Sequence, residues 1–205
     1  MAPSFLLAIT VHEFSHGYIA YRLGDPTARD AGRLTFNPLA HLDLFGTLAL
    51  FIIHFGWAKP VPVNPNNFAN PRRDDIWVSL AGPASNFISA FVFGMLYRLI
   101  DPFPAGLDIG PIILAMINYG VWINLVLTIF NLLPIPPLDG FHVLEGVVSY
   151  NIYLKLQEFA RFGSFILFGL IIIVLLTGFP IFSIIFGPFV SFFGSLFTGR
   201  PFGFY

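Results

Sequence analysis

The chain has 205 residues, 56% of them apolar and only 10% charged, with a net charge of −1 and a mean hydropathy of +0.79. Soluble domains carry charge on roughly a quarter of their residues, so this composition excludes an ordinary water-soluble domain and indicates an integral membrane protein; the near-neutral balance implies no nucleic-acid partner. Cysteine is absent, which removes disulfides and thiolate metal sites, and 26 Phe, 19 Gly and 17 Pro predict irregular backbone buried against helices.

Residues 3–21 read as a first span, and inside it lies Val11-His12-Glu13-Phe14-Ser15-His16. Two histidines four residues apart on a helix point the same way and can grip one Zn²⁺, while Glu13 can take a proton from a water activated there. With five His and three Glu in the chain, this pattern arises by chance roughly once in several hundred such sequences, so a stray helical triplet is the weaker reading. No cleavable leader is apparent, because the first apolar stretch carries the metal motif.

A polar segment, 22–42, follows with Arg22, Arg29 and Arg33. Residues 44–55 are apolar but too short to cross hydrocarbon, which needs ~20 residues, and are expected to be re-entrant or surface-lying. Within the loop from Gly56 to Asn70, Lys59-Pro60-Val61-Pro62-Val63-Asn64-Pro65 must be extended, since each proline disfavours helix for itself and its predecessor. A second span is expected over 76–99, with Gly82 and Pro83 as helix-start and close-packing residues, and a third over 111–133. Pro134, Pro136 and Pro137 break that helix, which resumes near Leu138 and runs to about 150. Stretches 162–178 and 181–197, separated at Gly178 and Pro180, read as two further spans or a helical hairpin. The expected fold is an all-α polytopic membrane protein, a helical bundle of about five spans with a short re-entrant or β-type segment near the active site.

Charge sets the expected topology. If 44–55 does not cross, segment 22–75 gathers Arg22, Arg29, Arg33, Lys59, Arg72 and Arg73 on one side, joined by Lys155, Arg161 and Arg200. The opposite loop, 100–110, carries Asp101 and Asp108, with Arg98 snorkelling from a helix end. The basic side is expected to be the cytosol. His16 then lies roughly 10 Å inside that face at 1.5 Å per residue.

A catalytic zinc normally takes three protein ligands and keeps one position open. Ionisable residues within or beside spans are costly and presumed functional, which leaves Asp139, Asp43, His54, His142 and Glu145 as candidates for the third. Asp139 is the strongest, because it follows the broken helix end where a carboxylate can turn inward.

Several separated motifs resemble the site-2 proteases, a family of intramembrane zinc metalloproteases. They are His12-Glu13-Phe14-Ser15-His16, Asn37-Pro38-Leu39-Ala40-His41-Leu42-Asp43, Ala81-Gly82-Pro83-Ala84-Ser85-Asn86, and Asn131 through Asp139-Gly140, together covering about residues 5–150. The resemblance implies one Zn²⁺ held by His12, His16 and Asp139, with Glu13 as general base and acid and Asn86 near the cleft. It is closest to the compact prokaryotic branch without a PDZ domain. It also implies a catalytic core at 1–150 and C-terminal membrane helices at 151–205 in the same compact unit. Gly32 to Phe36 is similar to the family's β-type segment. Two departures stand out, Leu42-Asp43-Leu44-Phe45-Gly46 in place of Leu-Asp-Pro-x-Gly and Asp139-Gly140-Phe141-His142 in place of Asp-Gly-Gly-Arg.

The expected substrate is a membrane-embedded protein or peptide, such as an anti-sigma factor, a membrane-tethered transcription factor or a signal-peptide remnant by family resemblance. A helical substrate hides its carbonyls and must unwind. The unwound strand would find partners at Gly32–Phe36, at the 57–68 loop, and at Asn86; Asn131 either fixes the broken helix or touches the substrate. His41 and Asp43 read as turn and interface residues, with accessory metal groups as the alternative; His54 reads as interfacial or packing, and His142 as a surface residue, with contact to substrate or solvent near the metal as the alternative. The competing functions are a zinc-binding membrane transporter and a homologue that binds without cutting. The lipid bilayer is a partner in every case, and oligomeric state is left open.

Overall fold

The computed structural model describes residues 2–53, 56–101 and 110–203. In chain order the helices are α1 (Ala2–Arg22), α2 (Thr27–Asp30), α3 (Leu44–Ile53), α4 (Pro71–Ile100), α5 (Gly110–Asn131), α6 (Asp139–Val147), α7 (Tyr150–Ala160), α8 (Gly163–Thr177) and α9 (Ile181–Thr198). Asn-Pro pairs punctuate the connections. At Asn37-Pro38 and Asn64-Pro65 the Asn side chain accepts an amide two residues on and the proline sets the first turn of a short 3₁₀ helix. At Asn70-Pro71 the backbone amide of Asn70 donates to the Asp74 carboxylate at 2.9 Å, which starts α4 five residues ahead of the apolar stretch at 76.

Helix α4 is the centre of the bundle, packed on α1, α5, α6 and α9. It runs antiparallel to α1, since Val78 meets His16 and Asn86 meets His12. It runs antiparallel to α5 as well, since Pro83 meets Thr128 and Asn86 meets Asn124. Unlike these, α9 runs parallel to α4. Phe87 packs on Phe189 and Phe193, Phe91 on Phe197, and the Arg98 guanidinium donates to the terminal carbonyls of α9 at Leu196 and Phe197. The buried apolar core joins Ala90, Val121, Leu125, Phe186, Val190, Phe197 and Phe202.

Among the described residues, α4, α5 and α9 are long and apolar enough to cross a membrane, and α7 with α8, bent by 59° at their break, makes a fourth candidate if taken as one span. The sequence reading counted about five. Helix α1 has 21 residues but falls short in composition because it carries His12, Glu13, His16 and Arg22. Helix α3 is 10 residues long, about 15 Å at 1.5 Å per residue, half the hydrocarbon thickness.

Four expectations are corrected. No strand forms among the described residues; the sole element of β pairing there is an isolated bridge between Leu42 and Ala58. Gly32 to Phe36 fails to extend because Gly32 sits at φ +66° and the Thr35 carbonyl is bonded by the His41 ring at 2.8 Å rather than offered to a neighbouring chain. Gly82 and Pro83 lie inside α4 and start no helix. Arg200 does not join the basic side: it pairs with Asp101 at the far end of α4, because the parallel course of α9 carries the chain there. His54 and Asp108, with most of the 100–110 loop, lie outside the described residues.

Candidate active site

His12 and His16 stand one turn apart on α1, rings edge to face with centroids 4.6 Å apart and Nε2 atoms 3.0 Å apart. Asp139 opens α6, and its Oδ2 lies 3.3 Å from His12 Nε2 and 3.4 Å from His16 Nε2. Two glycines permit this convergence. A Cβ at Gly82 would overlap both imidazoles, and a Cβ at Gly140 would overlap the carbonyls of Leu132 and Leu133, so α6 turns back hard against the end of α5.

Hydrogen bonding behind the rings sets their protonation. Asn124 donates its Nδ2 to the Gly120 carbonyl at 2.8 Å, so its Oδ1 accepts from Asn86 Nδ2 at 2.9 Å, which also reaches the Ala8 carbonyl at 3.0 Å. The Asn86 Oδ1 is thereby turned to His12 Nδ1, 2.6 Å away, and as an acceptor it requires the proton on Nδ1. His16 Nδ1 lies 2.7 Å from the Val78 carbonyl and must donate as well. In their neutral forms both rings therefore turn unprotonated Nε2 atoms toward Asp139 Oδ2, a buried oxygen without a hydrogen-bond donor. Three lone pairs facing one point repel unless a cation sits among them. Zinc bonded at ~2.05 Å in tetrahedral geometry needs ligand atoms about 3.3 Å apart, which the observed spacings match. These three residues form the one group of His, Asp or Glu among the described residues that converges tightly enough to hold a metal ion.

Glu13 stands beside this group, half-buried, with Oε2 accepting the Val61 amide at 2.9 Å. Glu13, His16 and Asp139 share the wall of a cavity of about 500 Å³ with Asp75, His142 and Glu145. His142 Nδ1 lies 3.3 Å from Glu145 Oε2 and 3.7 Å from Asp75 Oδ2, and Gln157 donates to Glu145 at 2.6 Å. His142, exposed as expected, and Glu145 are thus part of the cavity wall. The ionisable side chains in its wall suit water, which a hydrolytic site needs beneath the membrane surface.

The other residues singled out in the sequence fall in different places. Asn86 is fully buried, its amide committed to His12, Ala8 and Asn124. Asn131 ends α5 and bonds the Leu127 carbonyl of its own helix. Gly32 is exposed on a turn, and Phe36, 60% exposed, stacks on Phe14 at 4.0 Å. His41 is buried against Thr35, while Asp43 accepts the Gly46 amide at the start of α3.

Sequence reasoning passed over three participants. Asn124 had a signal, an amide in the middle of an apolar span. Asp25 had none, and Val61 was legible only as part of the extended, proline-rich 57–68 loop. The Asp25 carboxylate, buried, accepts from the Asn64 amide at 2.7 Å and the Asn67 side chain at 2.6 Å, as well as from Thr27. Burial pushes its pKa up, but hydrogen bonds from Thr27, Asn64 and Asn67 outweigh that and hold it below the usual carboxylate value.

Comparison with known proteins points the same way. The profile of Peptidase family M50 matches residues 104–176. The Bacillus subtilis protein named "Putative zinc metalloprotease YwhC" is 41% identical over 177 residues, which cover 80% of this chain and 76% of that protein. The Mycolicibacterium smegmatis protein named "Putative zinc metalloprotease Rip2" is 29% identical over 179 residues, 84% of this chain and 65% of its own. Its Mycobacterium tuberculosis namesake is 36% identical over 148 residues, 69% and 54% respectively. The chain thus spans three quarters of the Bacillus protein but only about half to two thirds of the mycobacterial ones. No solved structure matches it.

Proposed function

Because this chain belongs to peptidase family M50, the site-2 protease family of zinc metalloproteases, we propose that it hydrolyses a peptide bond in or near a transmembrane segment of a membrane-anchored protein. His12, His16 and Asp139 are the zinc ligands, and Glu13 is the general base and acid. The observation that carries this reading is the convergence of His12 Nε2, His16 Nε2 and Asp139 Oδ2 within 3.4 Å of one another, beside the Glu13 carboxylate on the wall of one cavity.

A zinc ion held by these residues would supply Lewis acidity toward the scissile carbonyl and lower the pKa of water toward ~7. Glu13 takes the proton from the attacking water and returns it to the departing amine. Asn86 and the Val78 carbonyl keep the imidazoles in the tautomer that ligation needs, so Asn86 acts through His12 rather than on substrate. The substrate unwinds before attack, and the extended chain from residue 57 to 63, which passes the cavity, is where its backbone finds new partners. Phe36, Gly32 and Asn131 stand outside the cavity lining, and Phe36 with its Phe14 stack is the one of these placed beside the Glu13 turn.

Helices α1, α4, α5 and α9 cross the bilayer, and α3 enters without crossing. Arg22, Arg29, Arg33, Lys59, Arg72, Arg73, Lys155 and Arg161 then share the side on which the cavity opens, whereas Arg98 and Arg200 at the opposite end are tied to carbonyls and to Asp101. That bias supports a cavity mouth at the cytosol. A transport path would need exchangeable ligands through the bilayer, and the ligand group here lies at one depth.

The test is cleavage of a tagged single-span substrate by purified protein in detergent, with Glu13→Gln and a zinc chelator as controls. Cleavage is expected to vanish in both, with one zinc per chain retained by Glu13→Gln. Full activity in that variant sinks the mechanism.

A further inference from the structure

We propose that the backbone N–H of Val61 is a positioning group for the Glu13 carboxylate, presented by a proline-stiffened strap whose covalent structure leaves it as the one donor at that point. The inference rests on the reading of Glu13 as the base. Pro60 and Pro62 have no N–H, so Val61 keeps the single backbone donor of the Pro60-Val61-Pro62 triplet, and it donates to Glu13 Oε2 at 2.9 Å. Both Lys59 and Val61 precede a proline and are held extended, and the rings preset φ on either side, so the N–H direction is constrained by the chain itself.

The strap is anchored at both ends. Upstream, the Lys59 amide donates to the His41 carbonyl at 2.8 Å and the Lys59 carbonyl accepts from Arg33 at 2.7 Å. Downstream, the Asn64 amide donates to Asp25 at 2.7 Å. Between them the Val61 side chain, 8% exposed, seats on Gly17, where an added Cβ would come within 3.1 Å of Val61 Cγ1. One residue thus spans a full turn of α1, its side chain on Gly17 and its amide on Glu13. A glutamate has three side-chain torsions to fix, and a base displaced by about 1 Å loses on the order of 100-fold in rate. Holding Oε2 leaves the second oxygen for proton transfer.

Val61→Pro deletes the donor where the chain is already extended; Val61→Ala keeps it and trims the side chain. Both are expected to bind one zinc. Val61→Pro lowers kcat by about 10- to 100-fold with KM within about twofold, and Val61→Ala retains at least about tenfold more kcat than Val61→Pro. The chain has only three glutamates, so a ¹³C-glutamate infrared spectrum minus that of the Glu13→Gln counterpart isolates the Glu13 carboxylate. Its antisymmetric stretch is expected to shift in Val61→Pro and not in Val61→Ala. An unshifted band, or equal kcat in the two variants, overturns the proposal. Should Val61→Pro fail to fold, replacing the Val61 amide by an ester gives the same two readings. A shifted band in a zinc-loaded protein that cleaves nothing would leave the hydrogen bond standing and remove the protease reading; cleavage with an unshifted band would do the reverse.

Discussion

Helix α4 carries two close-packed seams that use the same device for different ends. Toward α1, Gly82 lets two imidazoles lie against the helix backbone, and both Nδ1 atoms have an assigned direction through Asn86, Asn124 and Val78. Toward α9, Gly94 lets Phe197 lie equally close, among Phe87, Phe91 and Phe193. The first seam fixes lone pairs; the second fills volume. Hydrogen bonds are directional and fail when a partner turns, whereas apolar packing is set by shape and tolerates volume-conserving change. The polar seam should therefore respond to substitution in metal binding and the apolar seam in stability.

The sharpest way to break that contrast is Gly82→Ala. The new methyl displaces both rings, so zinc content should fall to near zero and cleavage by more than about 100-fold, while circular dichroism stays helical. Zinc at wild-type stoichiometry would refute the close packing. Asn86→Ala comes next: without its acceptor His12 loses the enforced tautomer, and zinc affinity measured by chelator competition should drop about 10- to 100-fold. Asn124→Ala, acting only through Asn86, should cost less.

On the apolar seam, Gly94→Ala should leave zinc content alone and lower unfolding stability in detergent by about 1–3 kcal/mol, the usual range for overpacking. A larger loss of zinc than of stability would erase the distinction between the seams. The smallest effect concerns Asp25, which ties the strap. Its folded pKa is depressed, so its contribution is fully present above the ordinary carboxylate value of ~3.9 and is lost as pH falls through the lower folded value. The gap in Tm between wild type and Asp25→Asn should therefore narrow as pH is lowered from about 5 to 3. A gap constant across that window would show that the strap does not depend on this charge.

Legibility in the sequence followed the range of the interaction. The His12–His16 pairing depends only on helical period, and the turn that offers Asp139 depends on Pro134, Pro136 and Pro137; both are local. Asn86 was visible as an amide in a span, but its target was not, because a sequence shows which way a residue faces on its helix and not what stands opposite. The course of α9 failed for the same reason. Charge counting put Arg200 with the other basic residues, while packing of Phe87, Phe91 and Phe197 carries it to Asp101. The β-type segment was lost to the turn at Gly32 and to the His41 ring, which takes the Thr35 carbonyl that a strand would have offered.

By itself the sequence determined that the chain lives in a membrane, where its helices break, and which two histidines share a helix face, because hydropathy, proline stereochemistry and the 3.6-residue period act over a few neighbours. Tertiary structure alone decided that His12, His16 and Asp139 converge, that Asn86 stands behind His12, and that an amide 48 positions away donates to Glu13. Those outcomes depend on where separate helices come to rest, and each distant approach must repay the chain entropy lost in closing it.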